Sequence, residues 1–552
     1  MSADLNPRQV LELYPPHGDT LPSLLASRRT IAGHKPVLVF EQRTWTYAQL
    51  EEASTELAGV LVRLGARRGD CVALVSLNSD LSLILFLATA RMGALLVPLN
   101  PALTEGELGQ LLGHCRPTLV AVQPADVPRV ESVSRSLESA PRLLPLDEIG
   151  TGAAEVSHIL ARIHQLAARG PADSAAPVAP DDPAVVIYTS GTTGFPKGAV
   201  HSHRNYVWAA EAFVERMHVQ PWERLLTVLP FYHVNALFYS WGGALAAGAA
   251  LVTTTRFSAS QLWRLAAENG ATQFNMLAAV GNILLKRPRS EFDPRHQIRK
   301  IYGGPIPAEV HRGFQEEFNV PTLIEGYGMT EIPGACQNPY GGLQKIGSIG
   351  RPAGHPRFEG PFVQMRVVDD AGMDVPRGEI GELLVKTPIL MREYLHDPEQ
   401  TRAATREGWF CTGDLVREDE DGYYYFVARK RDIIRRRGEN ISGAELDRIL
   451  LEHPAILEAA TIGVPSELGE EEIMAVLVPR AKPAPSPQQI IDWCQGRMAA
   501  MKIPRFVVFV DELPHSSSQR VAKYRLKQDR ALLAKAWTGV SNGSASREGR
   551  KP

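Results

Sequence analysis

Residues 184–203 read AVVIYTSGTTGFPKGAVHSH. An apolar strand, Ala184–Thr189, runs into Thr189-Ser-Gly-Thr-Thr-Gly194, and Pro196, Lys197 and Gly198 follow. Four hydroxyls and two glycines in six residues suit an anion. Glycine lets backbone N–H groups approach as a nest, and hydroxyls add donors. Lys197 supplies a mobile positive charge. The pattern is not G-x-x-x-x-G-K-[ST], because Lys197 comes three residues after Gly194 and no Ser or Thr follows it. The bland alternative is a flexible Gly/Ser/Thr turn.

Strand and helix alternate on both sides of this loop. Thr46-Tyr-Ala-Gln49 has the form of a capping box opening a helix within 44–68. Residues 70–77 predict a strand, 81–92 a buried helix, and 93–98 and 118–123 further strands. The pattern continues through 199–250, 273–285 and 323–325. It predicts an α/β fold of layered subdomains with a parallel sheet. Residues 170–183, GPADSAAPVAPDDP, read as a surface loop feeding the strand at 184. From about 345 the segments shorten, as in 365–369 and 380–386, and predict an antiparallel, β-rich subdomain. Near 430 a charged stretch precedes a compact βαβ-like unit, with a helix over 444–453 and strands over 459–464 and 474–479. The expected division is a large N-terminal domain over 1–430, a small α+β domain over 431–537, and a disordered tail over 538–552.

The 552-residue length exceeds one ordinary core and fits roughly three to four domain-sized units. The charge balance is 59 basic against 61 acidic residues, so no global field draws the chain to nucleic acid or an anionic membrane. Five cysteines without a C-x-x-C pair indicate neither a zinc site nor a disulfide framework. The N-terminus has no secretory h-region, and the most apolar run, LSLILFLATA, is too short for a membrane span. A cytoplasmic setting is expected.

The string YTSGTTGFPKG resembles the phosphate-binding signature of the adenylate-forming superfamily, which holds acyl-CoA synthetases, stand-alone adenylation domains and luciferases. Further segments match that family in order, from about 40 to 535. The resemblance implies that Thr189, Ser190, Gly191, Thr192, Thr193 and Gly194 bind phosphate with Lys197. YGGPIP (302–307) resembles the segment that packs on adenine, through Gly303, Gly304 and Pro305. In EGYGMTE (325–331), Tyr327 would stack on adenine, Thr330 would contact the α-phosphate, and Glu331 would hold Mg²⁺. A hard cation wants a carboxylate with phosphate oxygens. GSIGRP (347–352) is expected to be structural. In GWFCTGD (408–414), Asp414 would take the ribose hydroxyls. Arg429 sits where the family contacts ribose and phosphate, and Arg431 sits at its hinge, so the resemblance implies that the small domain over 431–537 is mobile. Six of the nine residues 429–437 are Lys or Arg. Arg435 and Gly438 would lie near CoA, whose phosphates suit guanidinium groups.

The C-terminal motif departs from the family. PHSSSQRVAK (514–523) places Gln519 where Gly is usual and Arg520 where the catalytic Lys is usual. Arg520 doing the same work is the first reading, Lys523 reaching in is the second, and impaired adenylation is the third. LPFYHVNAL (229–237) resembles the loop beside the acyl pocket, with His233 and Asn235 as substrate contacts. LAAVGNILLK (277–286) is expected to line or support that pocket. The motifs look most like the crotonobetaine/carnitine-CoA ligase and fatty acyl-CoA ligase branch, with fatty acid metabolism as a setting. The implied activity is ATP-dependent conversion of a carboxylic acid to acyl-AMP and then to an acyl-CoA thioester, using ATP, Mg²⁺ and CoA. The alternative is loading of a carrier-protein phosphopantetheine thiol. Monomer and homodimer stay open, and residues 1–40, which match least, have an oligomer contact as one use.

Overall fold

The structure is a computed structural model that describes residues 4–150, 155–168, 177–189, 196–436, 439–465, 471–515 and 521–538. Two large sheets dominate it. The seven-stranded sheet runs in the order Glu393–Tyr394, Gly198–Ser202, Pro183–Tyr188, Leu95–Leu99, Cys71–Val75, Leu119–Val122, Arg142–Pro145. Its last five strands are parallel, and Gly198–Ser202 runs antiparallel to both of its neighbours. CVALV (71–75) and LLVPL (95–99) are buried at every position, as a sheet covered on both faces requires. The nine-stranded sheet is parallel in its interior, where Thr322–Met329, Lys300–Gly303, Gln273–Asn275, Arg224–Thr227, Ala250–Thr253 and Pro36–Phe40 lie side by side.

One hydrophobic core joins the two sheets. It takes Leu74 and Leu96 from the first, Leu225 and Leu251 from the second, and the helices Asp80–Met92 and His203–Met217 between them. Local chemistry sets the helix ends. Thr46 and Gln49 form the expected capping box of the helix Tyr47–Arg63. Gly93, at φ +74°, ends Asp80–Met92 in the left-handed conformation that glycine adopts without strain. Helix Ala278–Leu285 buries Val280, Gly281 and Leu284 and leaves Leu277 and Ile283 exposed.

The N-terminal segment docks on this body rather than standing free. Arg28 donates twice to the Ala246 carbonyl, Tyr14 donates to the Ala247 carbonyl, and His17 Nε2 meets Glu211 Oε1 at 3.0 Å. His355 and Arg357 also reach Glu211, and Arg357 also binds Asp19, so three distant segments share one buried carboxylate.

Beyond residue 360 the chain is β-rich, as expected. A five-stranded antiparallel sheet comprises Gln364–Val368, Ile380–Lys386, Trp409–Glu418, Thr405–Arg406 and Tyr424–Arg429. After Arg429 come a short turn, the hairpin Ile433–Arg436 with Glu439–Ser442, the helix Gly443–Leu451, and a four-stranded sheet. Here the sequence expectation needs correction. Ile456–Pro465 and Glu471–Pro479 are an antiparallel hairpin, not the two strands of a βαβ unit. The crossover lies one strand later, where helix Pro487–Cys494 links Glu471–Pro479 to the parallel strand Phe506–Phe509. Both strands of the hairpin are apolar on nearly every position, so periodicity did not reveal their direction. The expected tail boundary shifts by one residue, because Thr538 pairs with Phe506; residues 539–552 lie outside the described residues. The first half of the 170–183 loop, through 176, also lies outside them. Among the described residues no helix is long and apolar enough to cross a membrane.

Candidate active site

Strands Pro183–Tyr188 and Gly198–Ser202 are antiparallel, with Tyr188 opposite Gly198. The Thr189 N–H donates to the Lys197 carbonyl at 2.8 Å and closes the neck of the glycine-rich loop. Ser190, Gly191, Thr192, Thr193 and Gly194 lie outside the described residues. Beyond the neck, Lys197 Nζ stands 4.8 Å above the ring of Tyr394. Tyr394 arrives on the edge strand Glu393–Tyr394, which pairs with the strand that Lys197 precedes. Its hydroxyl donates to Glu331 Oε1 at 2.7 Å.

Glu331 is buried, and burial raises its pKa. The Tyr394 hydrogen bond and the charges of Arg429 and Lys197 oppose that rise. The Met391 N–H donates to the Glu331 carbonyl at 2.7 Å and fixes the backbone. The neighbouring Thr330 carbonyl accepts from His201 Nε2 at 2.8 Å. Burial lowers the His201 pKa to about 4, so the ring is a neutral prop at pH 7.

A second cluster adjoins the first. Tyr327 donates to Asp414 Oδ2 at 2.6 Å, and Arg429 Nε meets Asp414 Oδ1 at 3.0 Å. Asp414 and Arg429 face each other across adjacent strands of the antiparallel sheet, while Tyr327 comes from the nine-stranded sheet. Beside Tyr327 the backbone is bare. A Cβ on Gly303 would sit 2.7 Å from the Met276 carbonyl, and one on Gly304 would overlap the Gly326 carbonyl. Pro305 follows at once.

The segment 229–237 is held from afar. Asn78 donates to the Leu229 carbonyl at 2.9 Å and accepts from the Phe231 N–H at 3.0 Å. His233 packs edge-on against Tyr232. Asn235 Oδ1 accepts from Asn275 Nδ2 at 3.0 Å, and Asn275 in turn accepts from Gln273.

The basic cluster is partly neutralised within the chain. Arg429 pairs with Asp414, and Lys430 pairs with Asp370 and Glu382 at 2.8 and 2.9 Å. Arg436 is buried against Glu472 at 2.7 Å and donates to the Met501 and Ile503 carbonyls. The backbone of Arg431 lies in the turn Lys430–Asp432 and that of Arg435 in Ile433–Arg436; their side chains, and Gly438, lie outside the described residues. Arg520 lies outside them too. Its flanks are described: His515 bridges Val521, and the Ala522 N–H donates to the Pro514 carbonyl. Lys523 is bound to Asp447 on the helix Gly443–Leu451. Arg525 meets Glu107 at 3.1 Å and ties the C-terminal part to the large region.

Tyr394, His201 and Asn78 were missed from sequence. Each acts through a partner distant in the chain, and no local motif signals it.

The fold and site thus define an enzyme class that activates an acid on a nucleotide. The AMP-binding enzyme family matches residues 27–395, and its AMP-binding enzyme C-terminal domain matches residues 445–520. The chain belongs to this family. It is 34% identical over 502 residues to an indoleacetate–CoA ligase of Aromatoleum aromaticum, covering 90% of this chain and 95% of that protein. It is 32% identical over 487 residues to the long-chain-fatty-acid–CoA ligase FadD13 of Mycobacterium tuberculosis, covering 88% and 92%. The solved structure of the anthranilate CoA ligase AuaEII in complex with anthranoyl-AMP superposes with a TM-score of 0.80, at 25% identity, over 94% of this chain and 98% of that one.

Proposed function

We propose that the residues gathered around Lys197, Glu331 and Asp414 carry out both halves of an acid–CoA ligation. The protein is an AMP-forming acid–CoA ligase. In the first half, a carboxylate oxygen attacks the α-phosphorus of ATP. The bond from that phosphorus to pyrophosphate breaks, and acyl-AMP remains. In the second, the thiol sulfur of CoA attacks the acyl carbonyl carbon and AMP leaves. Names of relatives that are CoA ligases support CoA over a carrier-protein thiol as acceptor. ATP and CoA as substrates support a cytoplasmic setting.

The residues divide the work by position. Thr189–Gly194 and Lys197 take the phosphates, Thr330 the α-phosphate, and Asp414 with Arg429 the ribose. Tyr327 offers a face to adenine, its hydroxyl anchored on Asp414. Catalysis rests on positioning and fixed charge, with no side-chain nucleophile. Four of the five cysteines are buried thiols. Arg520 supplies the cation that the family usually places as Lys, His233 and Asn235 contact the acyl group, and Arg435 with Gly438 contact CoA. The region beyond Arg431 turns between the two halves as a separate domain.

Glu331 would hold Mg²⁺. Among the described residues no group of three or more His, Cys, Asp or Glu could hold a metal by itself. A lone buried carboxylate, oriented by Tyr394, fits an ion shared with phosphate oxygens and water. Bound there, the ion supplies charge neutralisation for the triphosphate.

The observation that carries this reading is the convergence of Lys197, Glu331 and Arg429 from three different sheets, close enough that both cations act on the Glu331 carboxyl. The test is a panel of carboxylic acids with ATP, Mg²⁺ and CoA. The reading expects acid-dependent AMP and thioester together. ADP as product, or AMP without thioester, contradicts it.

A further inference from the structure

Arg216 is buried in the last turn of helix His203–Met217. Its Nη2 donates to the Gly334 carbonyl at 3.2 Å, and the phenol oxygens of Tyr239 and Tyr302 are its other hydrogen-bonding neighbours. The guanidinium stands 5.3 Å from the ring centroid of Tyr239 and 5.9 Å from that of Tyr302. Its charge opposes the rise that burial imposes on both phenols. Among the described residues no carboxylate pairs with it.

Other buried cations here are matched. Lys300 has Glu223 at 2.8 Å, Arg43 has Asp80 at 2.6 Å, and Arg436 has Glu472. Arg28 lacks a carboxylate but donates from Nε, Nη1 and Nη2 to the Ala246 carbonyl and Ser27. A buried guanidinium without a counter-charge is costly, and an anion that reaches it recovers much of that cost.

Its place is also telling. A Cβ on Gly334, three residues beyond Glu331, would overlap the guanidinium. Tyr302 directly precedes Gly303 and Gly304, and its hydroxyl presses on Gly326, beside Tyr327. Tyr239 lies on the helical turn Asn235–Gly242 that starts at the candidate acyl contact. The three segments that build the site therefore meet at Arg216.

We propose that Arg216 recognises a second oxyanion on the substrate, so that the preferred acid carries a carboxylate or sulfonate at its far end. This rests on the ligase reading. It assigns Arg216 to specificity, whereas a purely structural Arg216, clamped by two tyrosine rings, would affect all acids alike.

The experiment compares matched acids by kcat/KM for AMP release with ATP, Mg²⁺ and CoA: propanoate with malonate, butanoate with succinate, pentanoate with glutarate, and butanoate with 3-sulfopropanoate. The wild-type protein is expected to favour the dianion at one or more lengths by about tenfold or more. Arg216→Met should lower that preference roughly 10- to 100-fold, mainly through the KM of the dianion. Should Arg216→Met not fold, Arg216→Lys serves instead: it keeps the charge but loses the fork, and should cut the same ratio by a smaller factor. The carboxylate and sulfonate arms tell which oxyanion is taken. A wild-type preference for methyl-ended acids at every length overturns the proposal. So does a variant that slows both members of a pair equally. Release of AMP with methyl-ended acids alone leaves the ligase reading intact and sinks this one; no AMP with any acid sinks both.

Discussion

Glu325 opens the EGYGMTE motif, two residues before Tyr327, and is only 3% exposed. Burial raises its carboxyl to about 7, against help for the charged form from the backbone N–H groups of Ile306 and Gly347. Its Oε2 has no hydrogen-bond partner. The folded protein therefore binds this proton more tightly than the unfolded chain, where the ordinary value is 4.5. The sign follows from linkage: the stabilising contribution is fully present below about 4.5 and is lost as pH rises through about 7. At about 1.4 kcal/mol per pH unit, the native state is penalised by roughly 3 kcal/mol at pH 8 relative to acid conditions. Glu325→Gln removes the titration and keeps the shape. Urea unfolding of both proteins from pH 5 to pH 7 should show the variant gaining about 2 kcal/mol over wild type across that interval. A stability difference that stays flat with pH, or that shrinks as pH rises, refutes the reasoning.

Tyr394→Phe removes the donor that supports the buried Glu331 carboxylate, and about 1–3 kcal/mol of transition-state stabilisation should go with it, or roughly 10- to 100-fold in kcat/KM. Because that donor favours the ionised form, the acid limb of the pH–rate profile should move to higher pH; a limb that stays in place contradicts the link. Arg520→Ala should depress acid-dependent pyrophosphate exchange about 100-fold or more without lowering the melting temperature, and full activity would remove Arg520 from the site. Lys523→Ala should instead cost up to about 3 kcal/mol of stability by stranding Asp447, measured by thermal unfolding with exchange activity followed in parallel.

The legible parts of this protein are contiguous strings. The glycine-rich loop, the 325–331 segment and the 408–414 segment each hold several candidate site residues in a short run, so the loop's chemistry pointed to an anion and the resemblance to family motifs implied base and ribose. The buried parallel strands were legible for a related reason, since CVALV and GALLVP have no polar alternation to accommodate. What stayed hidden depends on pairing across long separations. Tyr394 reaches Glu331 from 63 residues away, and His201 reaches Thr330 from 129 residues away. The basic run 429–437 looked uniformly available to a phosphate-rich ligand, but acids brought in by folding occupy Arg429, Lys430 and Arg436. Strand direction in the C-terminal sheet was hidden as well, because a fully buried hairpin and a fully buried parallel pair share one sequence texture.

The most direct test of the central claim is acid-dependent exchange of labelled pyrophosphate into ATP with CoA withheld, followed by addition of CoA to the same mixture. The account predicts exchange before CoA is added and thioester with AMP after it, both lost in Lys197→Ala. Absence of exchange with every acid, or exchange that persists in Lys197→Ala at the wild-type rate, would contradict it.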